Sequence, residues 1–174
     1  MTRSPRKGAG DAGGTSRAYV DTHYFLSLIF EDDDASDVKR LFYKLQNGSY
    51  RILVPQLVLG EITAKILGKS QSDELPDRLQ KYHSLFSVYH IDHSCLPGVD
   101  RRVSQHMSNL ENIDDWLDPN DTLILSQVLA DPNSKFFFTV DTKILYNPKI
   151  LDYEYELRKD GDRTTKLKIT ESLD

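Results

Sequence analysis

The chain has 174 residues, 39% of them hydrophobic, which suits one domain with one core, and no apolar run approaches the roughly 20 residues of a membrane span, so no membrane partner is expected. Its single cysteine, Cys95, excludes an intrachain disulfide framework, and no apolar stretch in the first 17 residues resembles a secretory signal, so a cytoplasmic location is expected. A formal net charge of −5 argues mildly against a nucleic-acid binder, but the charge is uneven: residues 1–17 carry Arg3, Arg6, Lys7 and Arg17 against Asp11.

In chain order, residues 1–16 are rich in Gly, Ser, Lys and Arg without a hydrophobic period and read as a disordered basic arm. Ala18-Tyr19-Val20 is a short strand ending at Asp21, and Tyr24, Phe25, Leu28 and Ile29 place a helix over residues 22–30. Glu31 to Asp34 is an acidic loop, after which Ser36 is a candidate cap for a helix carrying Val38, Leu41, Phe42 and Leu45, stopped by Asn47-Gly48. Residues 51–54 form a second strand closed by Pro55, and residues 56–67 a helix with Leu57, Ile62 and Ile66 on its apolar side. Residues 68–77 read as a loop, 79–86 as a helix, 87–91 as a third strand and 98–109 as a helix. An acidic loop containing Asp114, Asp115 and Trp116 leads through Asp118-Pro119 into a helix over 120–130; Asp131-Pro132-Asn133 is a turn. The strand signal is strongest over Lys135 to Val140, bulky and β-favouring, and ends at Asp141. Tyr153, Tyr155 and Leu157 alternate with Glu154, Glu156 and Arg158, and Leu167 and Ile169 with Lys166 and Lys168, so residues 151–174 read as a β-hairpin extension. Strands alternating with helices predict βαβ units, a parallel sheet and a ligand site beyond the carboxyl ends of its strands.

The chemistry lies in four acids. Asp21 and Asp141 end apolar strands, while Glu61 and Asp121 sit on helices. A lone buried charge costs several kcal/mol or protonates, so a pocket gathering several carboxylates needs compensating positive charge, which a divalent cation provides. Each acid also has an ordinary structural reading. Asp21 can cap the helix it precedes, Glu61 can face solvent, Asp121 can form a capping pair with Asp118, and Asp141 can cap the following turn. Asp118 before Pro119 reads first as an N-cap and next as a peripheral metal residue. Lys65, Lys69, Arg101, Arg102 and Lys143 are candidate phosphate contacts. His90 and His93 read as structural, and Cys95 lacks a motif partner.

At these residues the chain resembles the PIN-domain nuclease family. The likeness rests on Ala18-Tyr19-Val20-Asp21-Thr22, the run from Val54 to Ile62 containing Glu61, Asp121-Thr122-Leu123-Ile124-Leu125-Ser126, and Phe138-Thr139-Val140-Asp141, in that order, across about residues 17–150. The resemblance implies a three-layer α/β/α sandwich with a central, mainly parallel sheet, and Mg²⁺- or Mn²⁺-dependent hydrolysis of single-stranded RNA. It makes Asp21, Glu61, Asp121 and Asp141 the metal-holding and catalytic acids, with Thr139 supporting the site by hydrogen bonding; Thr22 and Asp118 are further supporting candidates. It also implies an antitoxin protein as partner of a toxin-like member, and a homodimer. One departure is His23, where the family often has Asn. The rival reading is a PIN-like module that no longer cuts and serves RNA binding or protein assembly.

Overall fold

Short, wholly apolar runs become the centre of a parallel sheet, because strands covered on both faces need no polar alternation. The computed structural model describes residues 16–93, 100–113 and 116–173. The basic arm therefore lies, except for Ser16, outside the described residues, as do Cys95, Asp114 and Asp115. Strand β1 (Arg17–Val20) is followed by α1 (Thr22–Phe30) and α2 (Ala35–Asn47), then β2 (Arg51–Val54), α3 (Gln56–Lys69), α4 (Leu75–Val88) and β3 (Ile91–His93). Next come α5 (Asp100–Ile113), α6 (Pro119–Ala130), β4 (Ser134–Phe138), the single turn α7 (Thr142–Leu145), α8 (Pro148–Lys159) and β5 (Lys168–Thr170).

The five strands stand in the order β3-β2-β1-β4-β5, all pairs parallel. Tyr19 lies between Leu53 and Phe137, and Phe138 between Val20 and Thr170. Helices flank the sheet in an α/β/α sandwich: α1 packs on α2, α3 and α4, and α5 on α6 and α8. Tyr19, Phe25, Phe42, Phe137 and Phe138 are fully buried at its centre. The chain builds outward from β1 to β3 and then crosses to start β4 on the other side of β1. The strand order thus reverses between β1 and β4, where doubly wound sheets open a crevice. No helix among the described residues is long and apolar enough to cross a membrane.

Several expectations are corrected. The segment from residue 151 is not a β-hairpin: its first part continues α8, and its second part is β5, parallel to β4. The buried face of α8 is Ile150, Glu154 and Leu157, at helical spacing. The charged Glu154 hides that face in the sequence, while the alternation of Tyr153, Tyr155 and Leu157 mimics a strand. Residues 87 and 88 end α4, and the third strand begins three residues later, after His90 in the left-handed region (φ 50°). The loop expected over 68–77 shrinks because α3 runs to Lys69 and Pro76 is accommodated in the first turn of α4. Ser36 is no cap, since the helix already starts at Ala35. The last core strand stops at Phe138, leaving Thr139 and Val140 beyond its end.

A buried polar cluster ties the C-terminal segment to the opposite edge of the sheet. Asp131 is fully buried and accepts from Arg17 Nη1 (2.8 Å), Tyr19 Oη (2.9 Å) and Asn133 N (3.0 Å). Arg163, 3% exposed, donates to the carbonyls of Leu129 (2.8 Å), Asp131 (3.0 Å) and Ser134 (2.8 Å). These include carbonyls that the end of α6 leaves without an intrahelical partner. Glu154 receives Arg158 Nε (3.0 Å) and the Leu167 N–H (2.9 Å), so its burial is compensated.

Candidate active site

Asp21 is the first residue after β1, with its N–H on the Phe138 carbonyl (3.0 Å), so it stands at the carboxyl edge between β1 and β4. Its side chain caps α1, Oδ1 accepting from Thr22 N (2.6 Å), while Oδ2 accepts from the Thr139 hydroxyl (2.8 Å). The capping reading of Asp21 therefore holds in the structure, and one carboxylate oxygen remains aimed at Thr139. That hydroxyl also accepts from the Asp141 N–H (3.1 Å), so Thr139, itself fully buried, links the Asp21 carboxylate to the Asp141 backbone. Thr22 Oγ1 donates to Glu61 Oε2 (2.6 Å), joining the start of α1 to the second turn of α3. Asp118 caps α6 through the N–H groups of Asn120 (2.8 Å) and Asp121 (2.9 Å). Asp141 caps α7 through the Lys143 N–H (2.8 Å).

The electrostatics place these acids in one field. Burial pushes the Asp21 carboxyl up; the Thr139 hydroxyl and Thr22 N–H oppose this, and the charges of Glu61 and Asp141 add to it. Asp121 is pushed up to about 7, first by burial and then by the charges of Asp118, Asp141 and Asp21. Its neighbour Asp118 is held below the usual range, chiefly by the Asp121 backbone N–H. Among the described residues, no lysine, arginine or histidine forms an ion pair with Asp21, Glu61, Asp121 or Asp141.

Among the described residues, no three His, Cys, Asp or Glu side chains form a ready-made ligand cage. The donor set nevertheless fits a hard cation. Mg²⁺ is commonly held by one or two carboxylates, with waters and substrate phosphates completing the shell, and needs no all-protein cage.

Raised carboxyls have a consequence for stability. The folded chain keeps protons on Asp21 and Asp121 to higher pH than the unfolded chain does, so their contribution is present at low pH and is lost as pH rises through the folded values, for Asp121 about 7. In chelator, Asp121→Asn should flatten this decline, narrowing the gap between melting temperatures at pH 4.5 and 7.5 by a few degrees (~3 °C). Thermal melts of both proteins across that range check it; identical pH profiles would refute the assigned field.

The other sequence candidates are scattered. Lys65 is exposed one turn beyond Glu61 on α3, and Lys143 follows Asp141 on α7. Arg101 is exposed on α5. Arg102 lines a cavity with Leu129 and Ala130 at the far end of α6, about 13 Å along the helix from Asp121. Lys69 lies over the Phe30 ring, 5.8 Å from its centroid. His23 Nε2 faces Asp34 Oδ2 at 3.3 Å and the Ser27 hydroxyl at 3.4 Å, so it engages the acidic loop after α1.

The family profile described as PIN domain matches residues 18–149, from within β1 to the start of α8, and includes Asp21, Glu61, Asp118, Asp121 and Asp141. The chain belongs to the PIN-domain family. Among solved structures, a chain of VapBC2 from Rickettsia felis, crystallised with a DNA fragment from their promoter, shares the PIN-domain fold at a TM-score of 0.59. The two are 18% identical, and the match covers 76% of this chain and 93% of that one. No curated protein sequence matches this PIN-domain chain. Trp116, a lone tryptophan two residues before the Asp-Pro helix opening, and Lys149 carry no motif in the sequence, and the fold brings them to one cleft with Lys143.

Proposed function

We propose that this protein is a divalent-metal-dependent endoribonuclease that hydrolyses phosphodiester bonds of single-stranded RNA. The carrying observation is that acids from four distant segments share one field at the β1–β4 edge, two of them with raised carboxyls, without a protein cation paired to them among the described residues. Such a site is completed by a cation from solution. Asp21, Glu61, Asp121 and Asp141 would serve Mg²⁺ or Mn²⁺ as the catalytic acids, one or two of them by direct ligation and the others through the waters of its shell. When bound, the ion supplies Lewis-acid polarisation of the phosphoryl oxygen and acidifies a water. Thr139 and Thr22 fix the orientation of Asp21 and Glu61 through the bonds described above. Asp118 fixes the start of α6 and thereby Asp121. Lys143 and Lys65 are the basic residues on the same elements as Asp141 and Glu61 and would contact substrate phosphates.

The PIN resemblance extends this reading to the toxin of a toxin–antitoxin pair, with an antitoxin protein as partner and a cytoplasmic site of action. The fold shared with a VapBC2 chain is compatible with it.

The test uses a fluorescent single-stranded RNA and the full chain. Cleavage is expected with Mn²⁺ or Mg²⁺ and is lost in EDTA, and at pH 7.5 Mn²⁺ at 100 times its dissociation constant should stabilise the fold by roughly 2.7 kcal/mol. Cleavage that survives chelation would reject the metal mechanism. RNA binding without cleavage under any divalent ion would select the non-cutting module instead.

A further inference from the structure

A second feature lies beside the carboxylates. A cleft of about 320 Å³ is lined by Trp116, Thr142, Lys143, Asn147, Pro148 and Lys149. Both of its walls grow out of acidic residues of the site. Trp116 stands two residues before Asp118, which caps the helix carrying Asp121. The opposite wall starts at Asp141, whose carboxylate holds the Lys143 N–H at 2.8 Å, and runs through α7 to the start of α8. There Asn147 Oδ1 accepts from the Lys149 N–H (3.0 Å) and fixes the turn between the helices.

The chemistry of the lining is unlike that of the acidic edge. Trp116 is 77% exposed, although large aromatic faces are ordinarily covered. The two lysines are exposed, neither forms an ion pair among the described residues, and Lys143 is near enough to Asp118 for its charge to lower that carboxyl. A solvent-exposed indole flanked by ammonium groups is the combination that takes a nucleotide of a single strand: the base stacks on the ring and the phosphate meets the cations. A duplex, whose bases are already stacked, cannot present a free face to it. The lysines also offset the repulsion that Asp118, Asp121 and Asp141 exert on an approaching phosphate.

We propose that this cleft is a subsite for one nucleotide of single-stranded RNA adjoining the scissile phosphate, with its base on Trp116 and its phosphate on Lys143 and Lys149. The assignment rests on the nuclease reading for its place beside the cut, but its binding step needs no catalysis.

Trp116 is the sole tryptophan of the chain, so its fluorescence reports the cleft directly. The full chain carrying Asp21→Asn, in EDTA, is titrated with an eight-nucleotide single-stranded RNA and with the same sequence as duplex. Saturable quenching by the single strand and at least tenfold weaker quenching by the duplex are expected. By anisotropy of a labelled strand, Trp116→Ala should weaken binding about 10- to 100-fold and Trp116→Phe much less. Lys143→Ala and Lys149→Ala should each flatten the salt dependence, by about 0.7 in the log–log slope for one phosphate contact. Equal quenching by duplex, or undiminished affinity in Trp116→Ala, overturns the subsite. An unquenched indole in a chain whose wild type still cleaves the strand overturns the subsite and leaves the nuclease reading intact. Quenching by the single strand in a chain that never cleaves supports the cleft and removes the nuclease.

Discussion

Asp21→Asn should lower metal-dependent cleavage of single-stranded RNA by at least about 10³-fold, because it removes charge from the one acid that touches two other parts of the site. Asp21 is bonded to Thr139, through that hydroxyl it adjoins Asp141, and it shares a field with Glu61 and Asp121. An amide keeps the shape and can still accept one of the two hydrogen bonds, so folding is preserved. The loss is one of charge, which a carboxamide cannot supply to a hard cation. The same change should leave the protein as stable as the wild type or more so at pH 7.5 in chelator. Burial raises the native carboxyl, so ionised Asp21 is a liability to the metal-free fold. Opposite signs on the two readouts are the diagnostic: activity falls while melting temperature holds or rises. Single-turnover cleavage and thermal melts of the same preparation check it. A variant that still cuts within tenfold of wild type would remove Asp21 from the metal site, and one that melts well below wild type would mean that the side chain serves chiefly as a helix cap.

Arg163→Ala should be the most damaging single change to the fold, costing about 3–5 kcal/mol. The guanidinium is 3% exposed and burial pushes its pKa down, yet it is held by six hydrogen bonds to Val128, Leu129, Asp131, Ser134 and Thr165. Its removal orphans carbonyls at the end of α6 and the start of β4 at once, and it leaves a cavity where water must enter. It also loosens the link from α6 to the segment that leads into β5, the outer strand beside β4. Arg163→Lys keeps a charge but cannot fork across several carbonyls, so it should recover only part of the loss. Urea denaturation of the three proteins measures the differences. A cost under 1 kcal/mol for the alanine variant would show that the carbonyls find water without penalty. Arg163 lies at the sheet edge opposite the acids, so any activity lost by Arg163→Ala should track its loss of fold.

The central strands and the helices between them could be read from the chain because their signals are local. Ala18 to Val20, Ile52 to Val54 and Phe136 to Phe138 are apolar on both faces, and α1, α2 and α6 repeat their buried residues at helical spacing. The order of the four acids was equally readable, since each follows a strand end or sits early on a helix. The last quarter of the chain departs from its sequence pattern because its stabilisation is not local. Glu154 is buried only because Arg158, Arg163 and the Leu167 N–H surround it, and Lys168 to Thr170 become a strand only by pairing with Phe136 to Phe138.

Which side chains carry charge, and in what succession, is written in the covalent chain; local periodicity then turns most of it into strands and helices. Distance is another matter. Whether Asp21 meets Thr139, whether Asp121 holds its proton to about pH 7, and whether Trp116 opens beside Lys143 depend on packing between segments separated by many residues. Coulomb interactions and desolvation act through space and fall off over ångströms, so they exist only once the sheet has brought those segments to one edge.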